Sequence, residues 1–346
     1  MTNVKANLIG GATISFGYLI NYLDRHGESY TLINTKRFLK GPLRYFNPLY
    51  ILIKVLLNIH RSDVLFLNSS RGGAKFLAPV LYYIAKIFQL KFVFRPFGGD
   101  IKDYTAHWGK WATWFFDHTI LKADLFFLQT KELMNFYANR GANLIQLPTS
   151  REAPPASLMR GERPYGKRLI YLGFVNEAKG IDHILEAAQQ LGTDYTLHIF
   201  GPLMQDRYRE LFARPGVHYQ GVLKKGEVLE TLRTYDVLLL PTYYEGEGYP
   251  GAVIEAYSLG LPVIATDWKA IPEIVPHGRT GRLIAIQSTE ALVEAIQFFT
   301  TENYPEYSEN ARSYFVETFS SEQVTGRAIK QIKTLFLPRE NLIKTH

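Results

Sequence analysis

Two glutamates, Glu247 and Glu255, bracket a glycine-rich stretch with seven residues between them: Glu247-Gly248-Tyr249-Pro250-Gly251-Ala252-Val253-Ile254-Glu255. The run before it, 237–240, is apolar throughout, as strands covered on both faces are, and it stops at Pro241. The spacing predicts a helix that begins near Pro250 and closes at Gly260, with proline suited to the first turn and glycine to the end. A strand, a loop and a helix start in that order leave unpaired N–H groups and the positive end of a helix dipole facing outward, which suits phosphate oxygens. Gly246, Gly248 and Gly251 allow the backbone to come close to a ligand. Carboxylates beside such a site are poor partners for phosphate and good acceptors for sugar hydroxyls.

Other chemistries lose support on inspection. There is no cysteine, which removes disulfides, thiolate nucleophiles and cysteine-held zinc, and fits a reducing compartment. The chain has no Gly-x4-Gly-Lys-Ser/Thr loop, no Gly-x-Ser-x-Gly elbow, no His-Glu-x-x-His and no Asp-x-Asp pair. Without a carboxylate pair for a divalent ion, a bound diphosphate must be held by side-chain cations and backbone amides, so no metal is expected. Gly10-Gly11 matches a dinucleotide loop only loosely, because the third glycine and the later ribose-binding acid are out of register.

The elements that position the corner follow from period. Short apolar runs at 7–9, 30–33, 63–67, 91–94, 124–128 and 143–147 alternate with helical stretches; Phe16, Leu19, Ile20 and Leu23 have amphipathic spacing and Gly27 closes their helix. Strand, helix, strand at this spacing means parallel βαβ units. A stretch rich in proline and glycine, 148–166, supports neither element and reads as a linker. The rhythm then restarts with runs at 169–172, 196–200, 237–240, 263–265 and 282–284. The expectation is an α/β chain of two doubly wound, Rossmann-like lobes with ligands at the carboxyl ends of the strands: an acceptor lobe over 1–150, a donor lobe over 165–325, and a helical tail over 326–346 that packs back on the first. A length of 346 residues suits two such lobes.

The stretch Glu-Gly-x-Pro-x4-Glu, Glu247 to Glu255, followed by Ala256 and Gly260-Leu261-Pro262-Val263-Ile264-Ala265, resembles the signature of glycosyltransferase family 4, whose members have the GT-B fold of two Rossmann-like domains facing a central cleft. The similarity extends to Lys179-Gly180, Pro272-Glu273-Ile274-Val275 and Gly278-x-x-Gly281, so it covers most of the second lobe; the first matches in layout alone. The resemblance implies a retaining enzyme using a UDP- or GDP-sugar. In it Glu255 binds the ribose hydroxyls, Glu247 sits against the transferred sugar and Lys179 neutralises the leaving diphosphate. The backbone of Gly248, Tyr249, Pro250, Gly251 and Ala252 assists. Gly173, Phe174 and Gly201, each just past a strand, complete the donor set. Family members commonly carry an arginine where Phe174 stands, so either Arg168, Lys167 or another basic group supplies the cation on the diphosphate, or the site is weakened.

In the first lobe Asp100, ending Arg95-Pro96-Phe97-Gly98-Gly99-Asp100, is a candidate contact to the acceptor hydroxyl, or a turn aspartate. Gly10 and Gly11 line the acceptor side or form a plain tight turn, and Arg71-Gly72-Gly73 is a weaker candidate of the same kind. Residues 1–150 hold 18 Lys and Arg against 8 Asp and Glu, a charge of +10 beside −3 for the remainder. With Tyr45, Phe46 and Tyr50, and an apolar stretch at 48–60 preceded by Lys40 and Arg44, this agrees with a lipid-diphosphate or glycan acceptor met at an anionic membrane face, although for 48–60 itself a helix packed on the core is the preferred reading. No nucleic-acid motif accompanies the charge. No membrane-spanning run and no secretory leader is read, so a cytoplasmic setting is expected. A nucleotide-sugar epimerase, a phosphorylase or a non-catalytic partner subunit of the same fold are the alternatives.

Overall fold

The structure, a computed structural model, describes residues 11–33, 47–69, 71–96, 101–159, 161, 164–212, 217–224 and 226–337. Its contacts gather into two units, Met1–Leu147 with Thr325–His346, and Pro148–Val324.

The first unit runs α1 (Gly11–Arg25), α2 (Asn47–Asn58), β1 (Val64–Ser69), α3 (Arg71–Ile87), β2 (Lys91–Pro96), α4 (Ile101–Ala106), α5 (Lys110–His118), β3 (Leu125–Leu128), α6 (Lys131–Tyr137) and β4 (Leu144–Gln146). Its four strands pair in parallel in the order β1-β2-β3-β4. Ala74, Ala78, Leu81 and Ala85 recur at helical spacing on α3 and turn a narrow face to the core, where Phe92, Phe94 and Phe126 lie fully buried. Each strand read from the sequence between residues 63 and 147 is present within two residues of its expected ends. The run at 30–33 is different: it is irregular, with Tyr30 donating to Asp24 Oδ1 at 2.7 Å and Ile33 resting against the core. Its apolar content serves packing, with no ladder among the described residues. The run expected at 7–9 lies outside them.

The second unit runs β5 (Arg168–Leu172), α7 (Ile181–Leu191), β6 (Thr196–Phe200), α8 (Arg207–Leu211), β7 (Val217–Tyr219), α9 (Glu227–Leu232), β8 (Val237–Leu240), α10 (Gly251–Ser258), β9 (Val263–Thr266), β10 (Gly281–Ile284), α11 (Thr289–Gln297) and α12 (Tyr304–Tyr314). A π-helical turn at Phe315–Phe319 leads into α13 (Ser321–Thr334). The six strands are all parallel, in the order β10-β9-β8-β5-β6-β7. β8 and β9 are buried along their whole length, which is why they carry no polar residue except the terminal Thr266. β7 was not legible, since Val-His-Tyr is three residues long and half polar.

The start of β5 is held by Asp236, fully buried just before β8. Its Oδ2 accepts from the backbone N–H of Gly166 at 3.1 Å and of Arg168 at 3.0 Å, and both its oxygens accept from the Arg168 guanidinium at 3.2 Å. Replacing it removes the acceptor and leaves those donors unmatched. Asp236→Ala is expected to destabilise the second unit by about 3 kcal/mol, read as a lowered urea midpoint with an unchanged slope.

Candidate functional site

The order of the second sheet places its topological switch between β5 and β8: chain order runs outward to β6 and β7 on one side and to β9 and β10 on the other. In a doubly wound sheet the loops leaving adjacent strands at such a point diverge and open a crevice at the carboxyl end. The loop after β5 ends in a short turn, Glu177–Lys179, capped by the Asn176 side chain, which accepts from Lys179 N–H at 3.1 Å. The loop after β8 is tied to it by Tyr243 N–H donating to Ala178 O at 2.8 Å. Gly180 adopts φ +74° and packs so tightly that a Cβ there would lie 2.1 Å from Pro241 O. Both the left-handed backbone and the space demand glycine.

This pinning brings Lys179 and Glu247 together. The Lys179 ammonium donates to Glu247 Oε2, with the two side chains 12% and 9% exposed. Glu247 Oε2 also accepts from the hydroxyl of the fully buried Thr242 at 2.8 Å, and Lys179 Nζ sits 4.8 Å from the centre of the Tyr244 ring. Two adjacent charges of opposite sign thus cancel in a mostly dry corner, and Thr242 fixes the carboxylate. Nearby, burial and then the charge of Glu247 push the Tyr171 phenol well above its ordinary range, keeping it a neutral donor, which it directs to Phe174 O at 2.7 Å. Thr242 lies inside the segment singled out from the sequence, but nothing in its type or spacing marked it.

Glu255 has a different partner. As the fifth residue of α10 it stands one turn above Gly251 and accepts from Arg151 Nε at 2.7 Å. Arg151, read as part of a polar linker, is 6% exposed. Its backbone is bolted to the segment after α12: Arg151 N–H donates to Phe319 O at 3.0 Å and Ser321 N–H to Arg151 O at 2.7 Å. No sequence signal separates such a residue from the solvated arginines around it. Pro250 caps α10, and the N–H groups of Gly251 and Ala252 have no acceptor among the described residues. Tyr249, buried, donates to Glu273 Oε2 at 2.6 Å, fixing the loop just ahead of the helix, while Gly248 is partly exposed.

Gly173 and Gly201 meet at the carboxyl ends of β5 and β6. Gly201 has φ +140°, and a Cβ there would fall 1.7 Å from Gly173 O, so the two loops touch backbone to backbone. Phe174 is 55% exposed. The expected substitutes for a cation at this position, Arg168 and Lys167, are at the wrong end of β5. Arg168 is committed to Asp236, and Lys167 pairs with Asp194 at 3.6 Å. Lys167 precedes the strand and Arg168 is its first residue, whereas the crevice lies beyond its other end.

Of the first-unit candidates, Gly10 and Asp100 lie outside the described residues and Gly11 opens α1. Gly73 packs under the end of β1, where a Cβ would lie 2.1 Å from Ser69 Oγ. Arg95, near the end of β2, is 7% exposed, and burial lowers its guanidinium to about 10. Among the described residues no three His, Asp or Glu side chains gather as a metal-ligand set, and no helix is long and apolar enough to cross a membrane.

The profile of the family described as Glycosyl transferases group 1 matches residues 166–301. An uncharacterized 41.2 kDa protein in the cps region of Klebsiella pneumoniae is 25% identical over 167 residues, 48% of this chain and 46% of that protein. A putative colanic acid biosynthesis glycosyltransferase, WcaL, of Salmonella typhimurium is 26% identical over 183 residues, covering 48% of this chain and 45% of its own length. The matched stretches thus span less than half the length of these relatives. Among solved structures, Anabaena Alr3699/HepE in complex with UDP and glucose superposes with a TM-score of 0.68 over 94% of this chain and 96% of that one, at 15% identity. A glycosyltransferase from Rickettsia africae does so with a TM-score of 0.71 over 96% and 97%, also at 15% identity. The structures speak for the two-sheet GT-B fold, and the match to the glycosyl transferases group 1 profile covers residues 166–301, the stretch that holds the second sheet, both pinned loops and α10.

Proposed function

We propose that the chain is a retaining, metal-independent glycosyltransferase that moves a sugar from a UDP- or GDP-sugar to a glycan or lipid-linked acceptor in the making of a surface polysaccharide. One observation carries the reading: the Lys179–Glu247 pair sits at the β5/β8 switch point, where doubly wound sheets bind nucleotides, on the loop that leads to the free amides of α10. The solved HepE complex with UDP and glucose, and relatives named for colanic acid biosynthesis or encoded in a cps region, support the donor class and the pathway.

In this reading the diphosphate takes Lys179 away from Glu247, and Glu247, still held by Thr242, turns its free oxygen to a hydroxyl of the sugar. Glu255 accepts from the ribose. The bond between the anomeric carbon and the diphosphate oxygen breaks while the acceptor oxygen bonds the same carbon on the same face. The acceptor proton passes to the departing diphosphate oxygen. Cation and amide dipoles then stabilise the charge that builds on the leaving group, and no protein base is required. A donor-binding subunit without turnover is the second reading, favoured by the exposed Phe174 where a phosphate cation is usual.

For the acceptor side, we propose contact between the first unit and an anionic membrane. Phe76, Val80, Tyr83 and Ile87 form an exposed apolar stripe at helical spacing on α3, and Trp111, Trp114 and Phe115 are exposed on α5. Lys75 Nζ lies 5.7 Å from the Phe76 ring and 5.6 Å from that of Trp108, just ahead of α5, so cations are interleaved with the aromatics. α2 packs Ile51 and Val55 inward yet exposes Leu49, Ile53 and Leu57, which agrees with core packing and surface contact at once.

A diphosphate nucleotide or nucleotide sugar at a hundred times its dissociation constant should stabilise the protein by about 2.7 kcal/mol without added metal. Lys179→Ala and Glu255→Ala should each lose most of that shift; retention in both would rule the site out. With donor and acceptor supplied, the product should keep the donor's anomeric configuration by NMR, and Glu247→Gln should lower kcat by at least about tenfold. Binding without turnover would select the second reading. Vesicles containing phosphatidylglycerol should sediment the protein, and Trp111→Ala with Trp114→Ala should weaken that roughly tenfold, whereas equal binding to neutral vesicles would count against an anionic partner.

A further inference from the structure

We propose that Arg151 is a donor-binding residue, one that supplies the second cation for the diphosphate and fills the role vacated at Phe174. This rests on the donor-site reading above and adds to it a residue that lies outside the matched stretch 166–301.

The guanidinium is committed on one side and open on the other. Nε donates to Glu255 Oε1 at 2.7 Å and Nη1 to Ser150 O at 3.1 Å. Nη2 has no acceptor among the described residues, although the side chain is only 7% exposed, and it is not sealed from the surface as the buried unpartnered atoms are. Its position is fixed by contact with α10: a Cβ on Gly251 would come within 2.1 Å of Nη2. The free end of a buried arginine therefore abuts, Nη2 first, the first residue of a helix whose leading amides are also unmatched.

Electrostatics argue that an anion completes this arrangement. A guanidinium at a helix N-terminus faces the positive end of the dipole, and a single carboxylate, Glu255, is the balancing charge. In the donor-free corner, Lys179 is neutralised by Glu247 and Arg151 by Glu255, so each cation has its own acid. A diphosphate engages Nη2 of Arg151 without displacing Glu255, because Nε alone holds that carboxylate. Arg151 thus ties the ribose-binding acid to the phosphate-binding helix start, using two edges of one planar group. Its place is set by the bolt to Phe319 and Ser321. Gly251, in turn, is glycine because the guanidinium occupies the space a side chain would need.

The test is titration calorimetry of the whole chain with UDP, GDP, uridine and guanosine. Arg151→Gln is expected to weaken whichever diphosphate the parent protein binds by roughly tenfold to a hundredfold while weakening the matching nucleoside, which feels only the loosened Glu255, by far less, and Arg151→Lys to recover part of the diphosphate loss. An equal loss for diphosphate and nucleoside would mean that Arg151 only orients Glu255, and no loss at all would remove it from the site; either overturns the proposal. Gly251→Ala supplies the second arm, carrying the test where Arg151→Gln does not fold because Arg151 stays in the chain: by displacing Nη2 it should weaken the diphosphate roughly tenfold and the nucleoside far less, whereas an undiminished diphosphate would contradict the contact. A parent chain that binds neither diphosphate overturns the donor-site reading itself and this inference with it.

Discussion

The contact between Gly180 and Pro241 sets the geometry on which the candidate site depends. It joins the loop after β5 to the loop after β8 at the point where the sheet reverses its winding, with no room for a single methyl group between them. The hydrogen bond from Tyr243 N–H to Ala178 O fixes their register. The closeness of the backbones lets Lys179 and Glu247, far apart in sequence, form an ion pair, and the buried Thr242 hydroxyl donates to the carboxylate and orients it. A glycine and a proline with no chemistry of their own thus place the groups that have it.

The second unit answers one electrostatic problem twice. Two cations lie in mostly dry surroundings, Lys179 beside Tyr244 and Arg151 against the start of α10, and a bare cation there is costly. Each is therefore given an acid: Glu247 for Lys179, Glu255 for Arg151. In the proposed reading those acids are also what the ligand's hydroxyls need, so the groups that neutralise the two cations are recognition elements as well.

Much of this was legible from residue order. Apolar runs such as 237–240 and 263–265 are strands because only a strand covered on both faces tolerates such sequences, and Pro250 and Gly260 bound α10 as their backbone preferences require. Glu247 and Glu255 stood out by their spacing and Lys179 by resemblance to the family; the structure pairs Lys179 with Glu247 and Glu255 with Arg151, partners that spacing alone does not reveal. Arg151 was not legible, because its burial comes from a backbone pairing with Ser320, remote in the chain. Arg168 misled for the converse reason: its charge was visible, but its commitment to Asp236 at the opposite end of β5 was not. The run at 30–33 has strand composition but no ladder among the described residues.

The mutual neutralisation of Lys179 and Glu247 has a consequence for which ligand the site prefers to keep. A spent nucleotide, lacking its sugar, can capture the ammonium but returns nothing to the carboxylate, which is then left charged and short of a donor. The intact activated sugar satisfies both at once. The resting ion pair therefore works as a discriminator against the enzyme's own by-product in the proposed reaction, favouring release after each turnover and limiting inhibition as the nucleotide accumulates.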